Sequence, residues 1–509
     1  MNNKRQRNML FTMLTLMIAL LIPQWGWAQE ASQPKEGDGS KGNPFQISSA
    51  EELLWFRDWV NEGSPAHTSA CAKLIANIDL SNIPWIPIAN PQKGVFYYGT
   101  FDGNGQTISN LIYDNYEYQY AGFFGGLQGA TIKNITFDKA NVKNSIGGSE
   151  QVTGIVAGQA RISSILGIRI TNSKVEGGDH VGSIVGVSLS SQIVNCNSES
   201  DVYGSSYVGG IVGFFNSMSG KANILRNIFS SSNVSFKYSE GGLLVGEIYR
   251  EAIVRTAGFV VYNKDAKLVK GTTELQGDEK NSIGYGTLTA GFMLGCTKET
   301  LKSGVIAYML QQKNSTDDIT WGQNISTENG DAYPILGSPN RVYTNGEVTL
   351  TCQGSLNYTG TFTNEKMEDE DIYIYHQGQA TYQEGTAATC TKDGILEHYE
   401  CSTCHSAFKD AQLTSEMADI TDPMKSHHYD EDDICVYCKK EMPIVKLGEN
   451  TIQLEMTTDP DNLVTGFSLF KFTPTETGIL EYGINDANRF ATSFMEQRQI
   501  RAIIIQRIR

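Results

Sequence analysis

The chain has 509 residues, with 51 Gly, 13 Pro, 9 Cys and a formal net charge of −16. Such a length exceeds one ordinary core, so several domains are expected. The acidity disfavours nucleic acid, whose binding needs clustered Lys and Arg to release counterions, and the Gly-to-Pro balance suits tight turns between short strands.

The N-terminus reads as a secretory signal peptide. Lys4, Arg5 and Arg7 form a basic region, and Met9 to Ile22 is apolar. Gly26 and Ala28 then place small residues before a cut that would leave Gln29 first. The apolar run is short for a bilayer span, which needs roughly 20 residues, and no later stretch qualifies. The expected destination is the cell surface, the outer envelope or the medium.

A helix is expected from about Ala50 to Val60. Ser49 and Glu52 have capping-box spacing, and Leu53, Phe56 and Val60 share one face. Trp55 and Trp59 read as core aromatics of a cover over one end of a β-stack. Gly99 to Ile108 reads as an opening coil, with a tight turn at Asp102–Gly105.

A repeat follows. Hexapeptides begin at Tyr120, Val152, Val181, Val208 and Gly241, giving spacings of 32, 29, 27 and 33 residues. They read YAGFFG, VTGIVA, VGSIVG, VGGIVG and GGLLVG. Alternating runs such as Thr131–Ile135 and Gln192–Cys196 lie between them. Each repeat has too few apolar residues for its own core, but stacking buries a shared column of Ile, Val, Leu and Phe. The expected fold is all-β: a parallel β-helix, with glycines supplying positive φ at turns and close approach between coils. A second helix, about Lys298 to Gln312, is expected to cover the far end.

Gly42 to Ile47, Phe101 to Ile108 and the five hexapeptides together resemble the GLUG-motif β-helix family of bacterial surface proteins, notably of gut Bacteroidetes. Ser303–Tyr308, Trp321–Gln323 and Tyr333–Leu336 resemble the segment that usually follows such repeats. The resemblance covers about residues 42–345. It implies an adhesin-like binding role with no defined ligand. Some relatives precede an IgA-cleaving zinc peptidase; this chain has no HExxH, so that activity does not carry over.

Residues 376–438 concentrate His376, Cys390, His398, Cys401, Cys404, His405, His427, His428, Cys435 and Cys438. A CxxC knuckle aims two thiolates at one point, where Zn²⁺ takes two further Cys or His. The segment around Cys390, Cys401 and Cys404 resembles a small Cys-rich, zinc-ribbon-like repeat of bacterial surface proteins. That resemblance implies a structural zinc on His376, Cys390, Cys401 and Cys404. His428, Cys435 and Cys438 look like half of a second unit; alternatively the two knuckles close on each other as a four-Cys ribbon. Disulfides, a c-type haem on Cys401–His405 and a thioredoxin-like dithiol are the rival readings. Cys71, Cys196, Cys296 and Cys352 read as buried hydrophobes.

Thr451 to Tyr482 resembles the start of a β-sandwich. The chain thus divides into a signal peptide (1–28), a linker (29–45), a GLUG-type β-helix with its capping helix (46–270) and a C-terminal cap segment (271–345). A linker or β segment (346–375), a Cys/His-rich module (376–445) and a β-sandwich-like fragment (446–509) complete it. The expected function is non-catalytic binding or adhesion, with glycans or a host or cell-surface protein as partner. The alternatives are a polysaccharide-active β-helix enzyme and a ligand-free scaffold. A converging group of carboxylates would favour the enzyme. An exposed aromatic stripe would favour binding, with Tyr97, Tyr98, Tyr113, Tyr116, Tyr118 and Tyr120 as candidates. Glu199 and Asp201 are among the repeat carboxylates expected to be solvated turn charges.

Overall fold

The computed structural model describes residues 31–115, 117–144, 151–218, 220–314, 319–326, 328–367, 372–375, 378–390, 392–425, 434–435, 438–439, 444–445 and 471–472. The expected signal peptide, His376, His427 and His428 lie outside them, as does the 446–509 fragment apart from residues 471–472.

The main body is a parallel β-solenoid whose described residues form three sheets of 16, 5 and 6 strands. One coil illustrates the path. Asp179–Gly182 lies in the five-stranded sheet, Val185–Leu189 in the six-stranded sheet and Gln192–Gly204 in the long sheet. Each strand then pairs in parallel with its equivalent one coil on: Val181 with Val208, Val185 with Val212, Ile193 with Leu225. Identical side-chain positions therefore stack. Ile132, Ile165, Ile193 and Leu225 form one fully buried column, and Val142, Val175, Val202, Val234 and Leu268 another. Each such side chain contributes about 1.5–3 kcal/mol of burial.

The hexapeptides are not strands. They straddle the bend between the two shorter sheets, and Ile184, Ile211 and Leu244 turn inward there with almost no exposure. Pairing aligns Gly154 with Gly182 and Gly182 with Gly209, so the first two motifs begin at Ala121 and Thr153, one residue later than the repeat suggests. Their glycines serve close approach rather than positive φ. A β-carbon on Gly182 would lie 2.2 Å from Val185 O and 2.7 Å from Gly213 N of the next coil.

Left-handed backbone is supplied elsewhere. Asn134 (φ 58°), Gly167 (64°), Asn195 (50°), Asn227 (50°) and Gly258 (60°) form a ladder that bends the long sheet at one place in five successive coils. Asn tolerates this region because its short polar side chain can bond locally. The turn at 102–105 is likewise no hairpin. Thr100–Asp102 and Thr107–Ser109 both run parallel to Thr131–Asp138, so the turn is a kink within one coil.

The helix Ala50–Asn61 covers the N-terminal end. Ser49 caps it, and Phe56 packs against Tyr97 and Phe101 at ring separations of 6.2 and 5.8 Å. Trp55 and Trp59 stack on each other at 4.9 Å, half-buried against the core. The expected second helix is two, Lys298–Lys302 and Val305–Gln312, broken at Gly304 (φ 90°). Its position corrects the expectation. Val305–Leu310 shares a core with Phe229, Phe259 and Val261, whose neighbours Ile228 and Val260 point inward. Asn314 and Lys313 then bond back to Asn195 and Asn227. The pair is a cover along the flank, because outward apolar residues on the last coils needed one.

Candidate functional sites

The tyrosines proposed for a binding stripe do not form one. Tyr97 and Tyr113 are core residues and Tyr98, Tyr118 and Tyr120 are half-buried; Tyr116 is outside the described residues. An aromatic stripe runs instead across the corner of the two shorter sheets. His180 stacks on Tyr207 at 4.9 Å, Phe214 meets both edge-on, and Tyr249 lies 6.2 Å beyond Phe214. Phe214 pairs with Glu247, and Glu247 with Tyr285. Tyr249 is 39% and Tyr285 55% exposed. Carboxylates accompany the rings: burial raises the pKa values of Asp179 and Glu247, and Glu240 adds to the effect on Glu247. Burial drives His180 down to about 4, and its Nδ1 is buried without a hydrogen-bond partner. Sequence alone carried a signal for this stripe: His180 and Tyr207 both immediately precede a hexapeptide.

A polar groove of about 690 Å³ runs along the bent flank of the long sheet. Lys174, Glu199, Asp201, Asp265, Lys267 and Lys298 border it. Glu199, Asp201 and Asp265 thus line one groove, interleaved with lysines. Two are already engaged: Asp201 accepts from Asn233 Nδ2 at 2.9 Å, and Asp265 from the Lys298 amide at 2.7 Å. Burial raises the pKa of Glu199, against the pull of Arg169.

The thiols form two groups, each with its sulfurs within 4.8 Å of one another: Cys352 with Cys401 and Cys404, and Cys390 with Cys435 and Cys438. Neither expected arrangement is present. Cys390 does not join Cys401 and Cys404, nor do the two knuckles close on each other. The reason is Cys352. It follows the strand Val348–Thr351 and is 4% exposed against Cys401 and Cys404, so the first knuckle is filled from outside the module. Nothing local marks Cys352 in the sequence, and its partners are about 50 residues away. Of the isolated cysteines, Cys71, Cys196 and Cys296 are buried as expected.

The first knuckle is built for a thiolate. Burial acts upward on Cys401, but the amides of Cys404 and Thr403 outweigh it and hold its pKa below the usual thiol value. Gly378 permits this cradle, since a β-carbon there would sit 2.6 Å from Cys401 Sγ. Burial pushes Cys404 and Cys390 up to about 12. His405, the His of the haem-like CxxCH, turns its Nδ1 to Glu400 at 2.7 Å. Cys390 and Cys435 sulfurs are 3.7 Å apart. Two thiolates on one tetrahedral zinc, each about 2.3 Å from it, stand about 3.8 Å apart. Both groups fit a zinc-class ion.

No protein-family model matches the chain. Over 160 residues it is 30% identical to halomucin of Haloquadratum walsbyi, covering 30% of this chain and 2% of halomucin. A solved structure from Bacteroides ovatus, provisionally named an immunoglobulin A1 protease, is similar at 18% identity with a TM-score of 0.41. That match covers 60% of this chain and 95% of the other. Among the described residues no helix is long and apolar enough to cross a membrane.

Proposed function

We propose that this is an exported surface or secreted protein that binds extended, uncharged glycan chains along its solenoid without cleaving them. The observation that carries this reading is the aromatic stripe from His180 to Tyr285. Half-exposed rings repeated from coil to coil offer sugar faces a stacking surface, and the adjacent carboxylates accept hydroxyl hydrogens. The same carboxylates repel polyanions. The GLUG-like repeats and the partial likeness to halomucin support an outward-facing role. We read the two thiol groups as structural zinc sites, since neither borders the stripe or the groove.

The shared groove of Glu199, Asp201 and Asp265 favours one second reading, a polysaccharide-cleaving site in which half-buried Glu199 would be the acid. One screen separates them: full chain against neutral glycans and mucins, with reducing ends assayed throughout. Binding without reducing-end release, weakened at least about tenfold in Tyr249→Ala and Tyr285→Ala, is expected. Release that Glu199→Gln abolishes would replace the binding reading. No binding at all would leave a scaffold.

A further inference from the structure

We propose that Cys352, Cys401 and Cys404 bind one zinc-class ion that clasps the Cys-rich module to the flank of the solenoid, while Cys390, Cys435 and Cys438 bind a second ion inside the module. The inference rests on the structural-zinc reading and adds to it a partner from outside the module and a mechanical role.

The seating of the module is specific. Lys221 of the solenoid pairs with Asp393 at 2.9 Å. The amide of Gly258 donates to Glu416 at 3.0 Å, and the amide of Gly291 to the Cys404 carbonyl at 2.7 Å. Phe292, held at both its amide and carbonyl by Thr256, packs on the thiol core itself. The first thiol group therefore sits at the junction, with Cys352 reaching it from the strand beside the flank cover. These polar contacts are few, and a partly exposed pair such as Lys221–Asp393 contributes little by itself. The module's own core is equally slight: Phe408 and Leu413 are the apolar side chains buried with the thiols.

Thiol count distinguishes an ion from disulfides. Each group holds three sulfurs. Disulfides would use two and strand the third, whereas one ion engages all three, releasing the thiol protons as it binds. No fourth His, Cys, Asp or Glu joins either group among the described residues. Cys352 lies at the end of a strand that pairs with both Leu356–Tyr358 and Ile372–Tyr375, so its position is set by the sheet before any ion arrives.

The test uses the full chain purified without reductant or chelator. Native mass spectrometry counts zinc, and amide exchange is read at Gly258 and Gly291, whose N–H groups bond across the junction. Two zinc ions per chain are expected. Cys352→Ser should lose one, with exchange at both glycines at least about tenfold faster, while Ile211 in the solenoid stays protected. Cys390→Ser should lose one ion and keep Gly291 protected. If Cys352→Ser folds poorly, stepwise chelation of the natural chain gives the same reading, with the glycines released as the first ion leaves. Two ions retained in Cys352→Ser would sink the clasp and leave structural zinc standing. An absence of zinc, with a disulfide mapped to Cys352, Cys401 or Cys404, would overturn both.

Discussion

The solenoid and the Cys-rich module solve the same problem in opposite ways. The solenoid repeats one cross-section until a continuous apolar column exists, and its interior strands hydrogen-bond to the coil on either side. Among the described residues the module has two small sheets of four and two strands, and its thiol core holds Cys401, Cys404, one Phe and one Leu, joined from outside by Cys352. Ordering a chain costs roughly 1–2 kcal/mol per residue, which a handful of buried side chains does not offset. One region is held by periodicity and the other by its sulfurs, so perturbations should separate them.

The largest effect is expected in the column. Ile165→Ala removes a fully buried side chain stacked between Ile132 and Ile193, and should cost about 2–5 kcal/mol in chemical denaturation. The zinc count of the module should not change. An equal loss of zinc would mean that the two regions are one cooperative unit.

His180 should make the solenoid acid-sensitive. Its pKa is lowered from 6.5 in the unfolded chain to about 4 in the fold, by burial. The folded state therefore takes up its proton later than the unfolded one. Stability is full above about pH 6.5 and falls between pH 6.5 and 4, by at most about 3 kcal/mol. His180→Phe, which keeps the ring stack on Tyr207, should flatten that part of a stability-versus-pH curve. An unchanged slope would place the sensitivity elsewhere.

Smaller effects follow at the bend. Asn134→Ala should cost about 1–2 kcal/mol, because a left-handed residue loses its tolerated side chain, while Asn134→Gly should stay within about 0.5 kcal/mol. If both substitutions behave alike, the ladder of left-handed residues is not what bends the sheet. Smallest of all, Tyr249→Ala should shift stability by under about 0.5 kcal/mol, confining its effect to glycan binding.

The solenoid was legible in the sequence because its determinants are local and recur. Glycine-flanked aliphatic pairs repeat at near-constant spacing, and pairing then follows from stacking. The bend ladder was less so, since Asn134, Asn195 and Asn227 share it with two glycines and have only a φ angle in common. The thiol grouping was legible within each CxxC pair, but not the third sulfur of either group. Cys352 belongs with Cys401 and Cys404 because a flank cover and a docked module bring distant segments together. Spacing arguments treat Cys390 as the nearer partner. The groove lined by Glu199, Asp201 and Asp265 escaped for a related reason: residues of different coils come to line one groove only once the coils stack.

The most direct measurement of this division is amide exchange across the full chain with and without a zinc chelator. Protection should persist at Val185, Val212 and Leu225 and vanish at Tyr399, Glu400 and Phe408. Loss of protection in the apolar column on chelation, or its survival in the module, would contradict the account.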